Sequence, residues 1–489
     1  MEGSRVLFFV PFGAFRVHNQ LDLITALAVR ARGSDVVAVG CDKIFRECDV
    51  TTWAIDRQAE CNACFESGRG LFTSFNIPWI PLGTFLQPEE CDAAREWAYS
   101  IDPDEIEAAT YRGVAIGEWA VSSIQTYFRL SDVREAPASA KQVFPEFLLN
   151  GVKSYLAVSR IFDATLPTSI CLFSGRFAPY RVAFELAKLR KIPVVTHERG
   201  LADDTFVLCE NEMAVSPKPL IRIAEAWGAV PMTRGECAWA HSYFDAREKG
   251  SGFNFPSFLT SETELVDVRP ILGIPKDAKV VGLFLTTEFE LTALEDYRIL
   301  SSQIDFVRRC FETFQNRPEY LVIRHHPYSG GNASSPPDSG LLRRTIELFS
   351  ARPANVRIVM PLEPLNTYAL LWNLDAAIAL FSTVAMEATA RGLPTATHPL
   401  SQYRLACPHA VPADPNDLPK LLDQMLYHDQ IASIDQMRGA YRFCRAMTEF
   451  HSVTFRSFGI KDHYQPDIRV ATTAELDPGN DVVLDRLCD

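Results

Sequence analysis

The apolar run Leu321-Val322-Ile323 stops abruptly at Arg324-His325-His326-Pro327, and that stop constrains the fold more than any other feature of the chain. Proline has no N–H to donate and cannot continue a ladder, so the polar residues are expected at the carboxyl end of a strand. Downstream, Asp375-Ala-Ala-Ile-Ala-Leu-Phe reads as a second buried strand, followed by helix formers from Val384 to Arg391 that Gly392 closes. Strand and helix alternating in this way predict a parallel sheet with polar residues gathered along one edge.

The same alternation recurs elsewhere. Arg5 to Pro11 reads as a strand, followed by a loop through Gly13, Arg16 and His18, a helix from Gln20 to Arg30, and a strand at Val36 to Gly40. Ile170 to Gly175, Pro179 to Leu189 and Ile192 to Thr196 repeat strand, helix and strand, the last ending in His197-Glu198-Arg199-Gly200. Between them, Pro88 to Gln142 is acidic and helix-like, and its Trp97, Tyr99, Trp119 and Tyr127 are expected in a core.

Lys249 to Val268 has the Gly, Ser, Asn and Pro content of a linker, and Val280 to Leu285 opens a second wound domain. That domain continues through a helix at Asp305 to Phe314, a strand at Val356 to Val359 and a helix at Asn366 to Trp372, to about Pro412. Ser329-Gly330-Gly331-Asn332 supplies a turn after the His-His-Pro strand. Gln430 to Phe450 reads as a last helix crossing back to the first domain, with Pro466 to Asp489 a polar periphery. The expected fold class is α/β, two Rossmann-like doubly wound domains. The expected boundaries are 1–265, 266–429, and a crossing helix with its tail at 430–489.

Composition excludes several classes. A net charge of −13 is the wrong sign for a nucleic-acid surface, which needs clustered lysine and arginine. Val6 to Phe15 is broken by Pro11 and Gly13, and Leu365 to Phe381 by Asn366, Asn373 and Asp375, so neither reads as a membrane span. The start lacks the basic and small-residue pattern of a secretory signal, and a cytoplasmic protein is expected. The 12 cysteines are spread along the chain, which favours reduced thiols over a disulfide framework. Cys41, Cys48, Cys61 and Cys64 gather four thiols in one region, and Cys61-Asn-Ala-Cys64 has half of a zinc-knuckle spacing; the six residues between Cys41 and Cys48 do not complete it.

Ser382 and Thr383 fall at the expected start of a helix, where free N–H groups and the positive end of the helix dipole favour a phosphate. Serine or threonine there is also the ordinary cap. Glu387 lies one position too far along for a capping box and is expected to accept hydrogen bonds from a ribose diol. In the first domain Glu198 ends a strand and is the leading candidate for a proton acceptor. His18 is the alternative, and Arg199 and Arg176 are candidates to pair with an anionic sugar or acceptor. A local ion pair pinning a loop is the competing reading of His197-Glu198-Arg199, and the second arginine nearby favours function over it.

Gly175-Arg176, Thr196-His197-Glu198-Arg199-Gly200, Arg324-His325-His326-Pro327, and Phe381-Ser382-Thr383 with Glu387 and Gly392-Leu393-Pro394 together resemble the GT-B glycosyltransferases of the bacterial capsule polysaccharide biosynthesis type. The resemblance spans roughly Ile170 to Tyr403. It implies two domains facing a cleft, with a nucleotide sugar and an oligosaccharide or glycolipid acceptor as partners. The His-Pro and hydroxyl pairs are similar to the motifs of Kdo-transferase-like and sialyltransferase-like enzymes, which implies a CMP-linked acidic sugar as donor. By the same likeness His326, Ser382 and Thr383 contact the donor phosphate and Arg324 supports them. No cofactor or divalent metal is implied, and a peripheral association with the inner membrane is admitted. Asp203-Asp204 is followed by Thr205, so the acidic motif of the sialyltransferases is absent and the base is not assigned by likeness. A CDP-polyol phosphotransferase, a sugar-nucleotide epimerase and an inactive scaffold stay as alternatives.

Overall fold

The protein is described by a computed structural model that covers residues 3–51, 54–252, 266–292, 294–297, 302–331, 337–429, 431–462 and 465–488. Most of the expected linker, together with Asn332 of the expected turn and Gln430, lies outside the described residues. The chain forms two compact units. The first comprises Met1–Ser216, Thr292–Arg298 and Ser452–Asp489, and the second Pro217–Leu291 and Ile299–His451.

The first unit contains β1 (Arg5–Phe9), β2 (Asp35–Gly40), β3 (Trp79–Pro81), β4 (Ser169–Phe173), β5 (Val194–Arg199) and β6 (Phe206–Glu210). The second contains β7 (Val280–Phe284), β8 (Tyr320–Arg324), β9 (Val356–Val359), β10 (Ala376–Ala379), β11 (Thr395–Thr397) and β12 (His409–Ala410). After it the chain returns to the first unit as β13 (Ser452–Val453). The first sheet is ordered β13-β6-β5-β4-β1-β2-β3, and the second β12-β11-β10-β7-β8-β9.

Both are doubly wound, because each begins in the middle and is built outward in both directions. The order reverses between β1 and β4 in one sheet and between β7 and β10 in the other. Leu7, Phe8, Phe9 and Val10 are at most 1% exposed, as a central strand covered on both faces requires. The second sheet is parallel throughout. The first carries an antiparallel edge, since β5 pairs with β6 and β6 with β13.

That edge corrects one expectation. β5 does not stop at Thr196 but runs through His197 and Glu198 to Arg199, because Glu198 and Arg199 find partners in Val207 and Phe206 of β6. Charged residues thus sit inside a strand rather than beyond it. His18 is also displaced from its expected loop, since the helix starts early, at Arg16–Ala31, and His18 is buried in its first turn.

The expected boundaries at 265 and 429 also move. The helices Pro217–Trp227 and Arg234–Glu248 belong to the second unit, where they hold the closing helix Ile434–Arg445. Arg445 is 1% exposed; its Nη1 lies 3.0 Å from Glu236 Oε1, and its Nη2 donates to the Val230 carbonyl at 3.2 Å. That helix therefore does not cross back. What returns is the segment after it, and it is not peripheral: Phe455, Phe458, Leu476 and Leu484 are at most 1% exposed in the core of the first unit. Arg469 pairs with Asp204 at 2.8 Å in the same unit. Of the expected core aromatics, Trp119 and Tyr127 are buried, whereas Tyr99 is half exposed and its hydroxyl donates to Glu146.

Candidate functional site

In open wound sheets the crevice at the reversal of strand order, outside the carboxyl ends, is where ligands bind. Each unit places its candidate residues along such an edge.

In the first unit the residues lie in the helix after β1, in the turn after β4 and in the last two positions of β5. His18 stacks on Phe173, ring centroids 3.8 Å apart, and its Nε2 lies 3.4 Å from Glu198 Oε1. Phe173 ends β4 opposite His197 of β5, and the His18 ring also lies over that of His197, centroids 5.5 Å apart. The Glu198 side chain is 20% exposed, and its Oε1 accepts the Arg199 backbone N–H at 3.0 Å. Burial pushes the Glu198 carboxyl above the ordinary range, while the charges of Arg199 and Arg176 pull the other way without cancelling it. Burial drives the His18 imidazole well below its usual value, and His197 and Arg199 add to the effect. A neutral imidazole therefore sits beside a carboxyl that binds a proton more firmly than an exposed glutamate does.

The turn carrying Arg176 is shaped by its backbone. Ser174 and Gly175 both have positive φ, 58° and 80°, and Gly175 N donates back to the Phe173 carbonyl. Arg176 is half-buried, with its guanidinium 4.5 Å from the Phe177 ring centroid. Its charge acts on two carboxyls, Glu198 and Asp49. Asp49 follows β2 and was not foreseen from the sequence. Its Oδ2 accepts from Ser123 Oγ at 3.0 Å, and that same Oγ accepts the Ala178 N–H at 2.8 Å. Burial raises the Asp49 carboxyl to about 6. No local pattern marks Asp49 or Ser123; the helix that brings Ser123 under the β4 turn is far away in sequence.

From His18 an aromatic run leads through Phe173, Phe15 and Phe12 to Phe45. Phe12 and Phe45 line a small, partly open cavity whose walls include Cys41, Cys48, Cys61 and Cys64. All four are free thiols, and burial raises each of them, Cys41 to about 12 and Cys64 to about 11. They share one apolar cavity, but among the described residues no three of them bring their sulfurs close enough to share an ion.

In the second unit the edge is formed after β8 and β10. His326 caps a short turn: its Nδ1 accepts the Tyr328 N–H at 3.2 Å, which assigns the imidazole proton to Nε2. Burial, with Arg324 and Arg247 nearby, lowers this imidazole to about 4, so it is a neutral donor. Arg324, expected beside the donor, is 4% exposed and its Nη1 donates to the Met360 carbonyl at 2.7 Å. It is anchored under the edge and acts there through its charge.

Ser382 and Thr383 precede the helix Val384–Ala390, as read from the sequence, and Gly392 closes it at φ 83°. Ser382 Oγ accepts the Val384 N–H at 3.3 Å. Glu387 differs from expectation. Its carboxylate is 1% exposed and is bonded to Arg247, with Tyr368 as a further hydrogen-bond partner, rather than turned to solvent for a ribose. Arg247 also donates to Thr383 Oγ1 at 3.2 Å. Sequence reading missed Arg247 because it lies at the far end of the Arg234–Glu248 helix, with no pattern linking it to Glu387.

No family model matches the sequence, and no curated protein matches it. Among solved structures the chain is similar to the beta Kdo 2,4 transferase KpsC of Thermosulfurimonas dismutans, at 10% identity over 66% of this chain and 88% of that one, with a TM-score of 0.38. It is similar to MurG of Acinetobacter baumannii at 14% identity over 90% and 95%, TM-score 0.29. It is similar to UDP-GlcNAc 2-epimerase of Neisseria meningitidis at 10% identity over 90% and 97%, TM-score 0.28. At such scores none of these likenesses bears on what the residues here do.

Proposed function

We propose that this protein is a glycosyltransferase of the GT-B kind that moves a sugar from a nucleotide donor, first of all a CMP-linked acidic sugar, to an oligosaccharide or glycolipid acceptor. The observation that carries the reading is Glu198, a part-buried carboxyl with a raised affinity for protons, fixed by a backbone N–H and flanked by a neutral imidazole and two arginine charges.

Glycosyl transfer needs a group to take the acceptor hydroxyl proton and donors to receive charge on the departing phosphate. Glu198 suits the first need, since a base held partly from water binds the proton more firmly than exposed glutamate does. His18 orients it, and Arg176 and Arg199 supply positive charge for an anionic sugar or acceptor. Donors of the second kind are found in the second unit, taken by itself. There His326 offers an N–H without a charge to neutralise, and the Ser382 and Thr383 hydroxyls follow β10, which β7 separates from β8. No divalent ion is assigned a step in this reading.

Thermal-shift titration with CMP, CDP, UDP and GDP tests the donor half. A ligand at a hundred times its dissociation constant adds about 2.7 kcal/mol of stability, a readily measured shift. A selective rise with the cytidine nucleotides is expected. A rise with UDP or GDP alone would move the donor class, and no shift with any of them would favour a non-catalytic scaffold.

A further inference from the structure

Three side chains that the proposed transfer does not use meet in the interior of the first unit. Asp22 lies in the second turn of the Arg16–Ala31 helix, Cys171 in β4, and His197 in the adjoining β5. They are 1%, 5% and 1% exposed. Asp22 Oδ1 is 2.9 Å from His197 Nε2 and 3.5 Å from Cys171 Sγ, and one ligand atom from each lies within 4.8 Å of the others.

Hydrogen bonding satisfies only part of this group. Asp22 Oδ2 and His197 Nδ1 are both buried without a hydrogen-bond partner, and one of the two bonds to Oδ1 would come from a thiol, a weak donor. A carboxylate shut in an apolar interior with half its acceptors unused is destabilising by kilocalories, so such groups are paired or bind metals. Around a tetrahedral ion with bonds of about 2.0–2.3 Å, neighbouring donor atoms stand roughly 3.3–3.7 Å apart. The 3.5 Å separation already fits, and the 2.9 Å one needs a small opening.

We propose that Asp22, Cys171 and His197 form a buried structural site for a zinc-class divalent cation. Asp22 Oδ1, the Cys171 sulfur and His197 Nε2 supply three donor atoms, and Asp22 Oδ2, buried without a hydrogen-bond partner, can add a second contact from the same carboxylate. On binding, the Cys171 thiol releases its proton to solvent, and the imidazole proton moves from Nε2, where Asp22 Oδ1 accepts it, to Nδ1. One carboxylate and one thiolate then balance the two charges of the ion, so the filled site is neutral in an interior that penalises net charge. Sulfur and nitrogen donors select zinc over magnesium or calcium. The ion would tie the first helix to β4 and β5 beneath His18 and Glu198, and it takes no part in the transfer itself.

The test uses full-length protein purified under reducing conditions, stripped with a chelator and titrated with cobalt(II) chloride. One equivalent should bind, with a near-ultraviolet thiolate-to-cobalt charge-transfer band and a rise in Tm. Cys171→Ser should lose the band and weaken cobalt at least a hundredfold. The variant with Cys41, Cys48, Cys61 and Cys64 all changed to serine should keep both, which separates this site from the thiol-lined cavity. Binding below a tenth of an equivalent by the wild-type protein, needing no variant to fold, overturns the proposal. So does a charge-transfer band that survives in Cys171→Ser.

Discussion

The Arg247 guanidinium closes on the Glu387 carboxylate at 2.9 Å and, through the same nitrogen, donates to Thr383 Oγ1 at 3.2 Å. One cation thus couples a fully buried acid to a hydroxyl at the sheet edge. Burial alone would raise the Glu387 carboxyl, but Arg247, the Tyr368 hydroxyl and Arg391 outweigh it and hold it below the ordinary range. Removing one partner strands the other charge in the interior. Arg247→Met is therefore expected to destabilise the second unit by about 3–5 kcal/mol, and Arg247→Met with Glu387→Met by much less than the sum of the singles. Urea denaturation of the four proteins of the cycle checks this; additive losses would mean the pair is not coupled.

Acid should loosen the same unit. His325 is 0% exposed with no hydrogen-bond partner at either ring nitrogen, and burial with the Arg324 charge lowers it to about 4; His326 is lowered to about 4 as well. An imidazole in the unfolded chain titrates near about 6.5. Between these values the unfolded chain binds protons that the folded one refuses, so this contribution is present above about 6.5 and is lost as pH falls towards about 4. Each imidazole can account for up to about 3 kcal/mol across that window. His325→Leu, which removes the titration and both orphan nitrogens, should flatten the fall in Tm between pH 6.5 and 4. An unchanged slope would show that His325 is not the group responsible.

What the sequence made legible is what is local. Pro327 ending β8 and Gly392 closing the Val384–Ala390 helix were readable because each acts on its own backbone, and Val356–Val359 was read to the residue. Pairings across the chain were not. β5 extends through Glu198 because β6 lies beside it, and the final segment is core because Phe455, Phe458, Leu476 and Leu484 pack into the first unit. Neither fact has a periodicity to announce it. The Arg247 ion pair spans 140 residues, and nothing in either stretch signals the other.

The pH dependence of turnover separates Glu198 from His18. As the proton acceptor Glu198 must be ionised, so kcat/KM should climb with pH along a limb set by its raised carboxyl. Glu198→Gln should lower turnover about a hundredfold or more and erase that limb. His18→Gln should lower turnover while leaving the limb in place, since His18 is already neutral and touches Glu198 rather than the reacting atoms. A near-normal rate in Glu198→Gln would remove it from the mechanism, and loss of the limb only in His18→Gln would hand the role to the imidazole.

Two glycines near the thiol-lined cavity should respond in opposite directions. Gly13, in the loop after β1, faces the helix Arg57–Thr73 so closely that a Cβ would stand 2.0 Å from the Cys64 carbonyl and 2.4 Å from Gly68 N. Both obstacles are backbone, which no rotamer change relieves. Gly13→Ala must therefore push the helix away and should destabilise the first unit by about 1–3 kcal/mol. Gly70 lies on the exposed side of the same helix with nothing within 4 Å of a Cβ, so Gly70→Ala meets no clash and only restricts the unfolded chain. It should stabilise by about 0.5–1 kcal/mol. Urea midpoints measured on both variants check the pair: a harmless Gly13→Ala would mean that the helix carrying Cys61 and Cys64 is not seated on the β1 loop, whatever Gly70→Ala does.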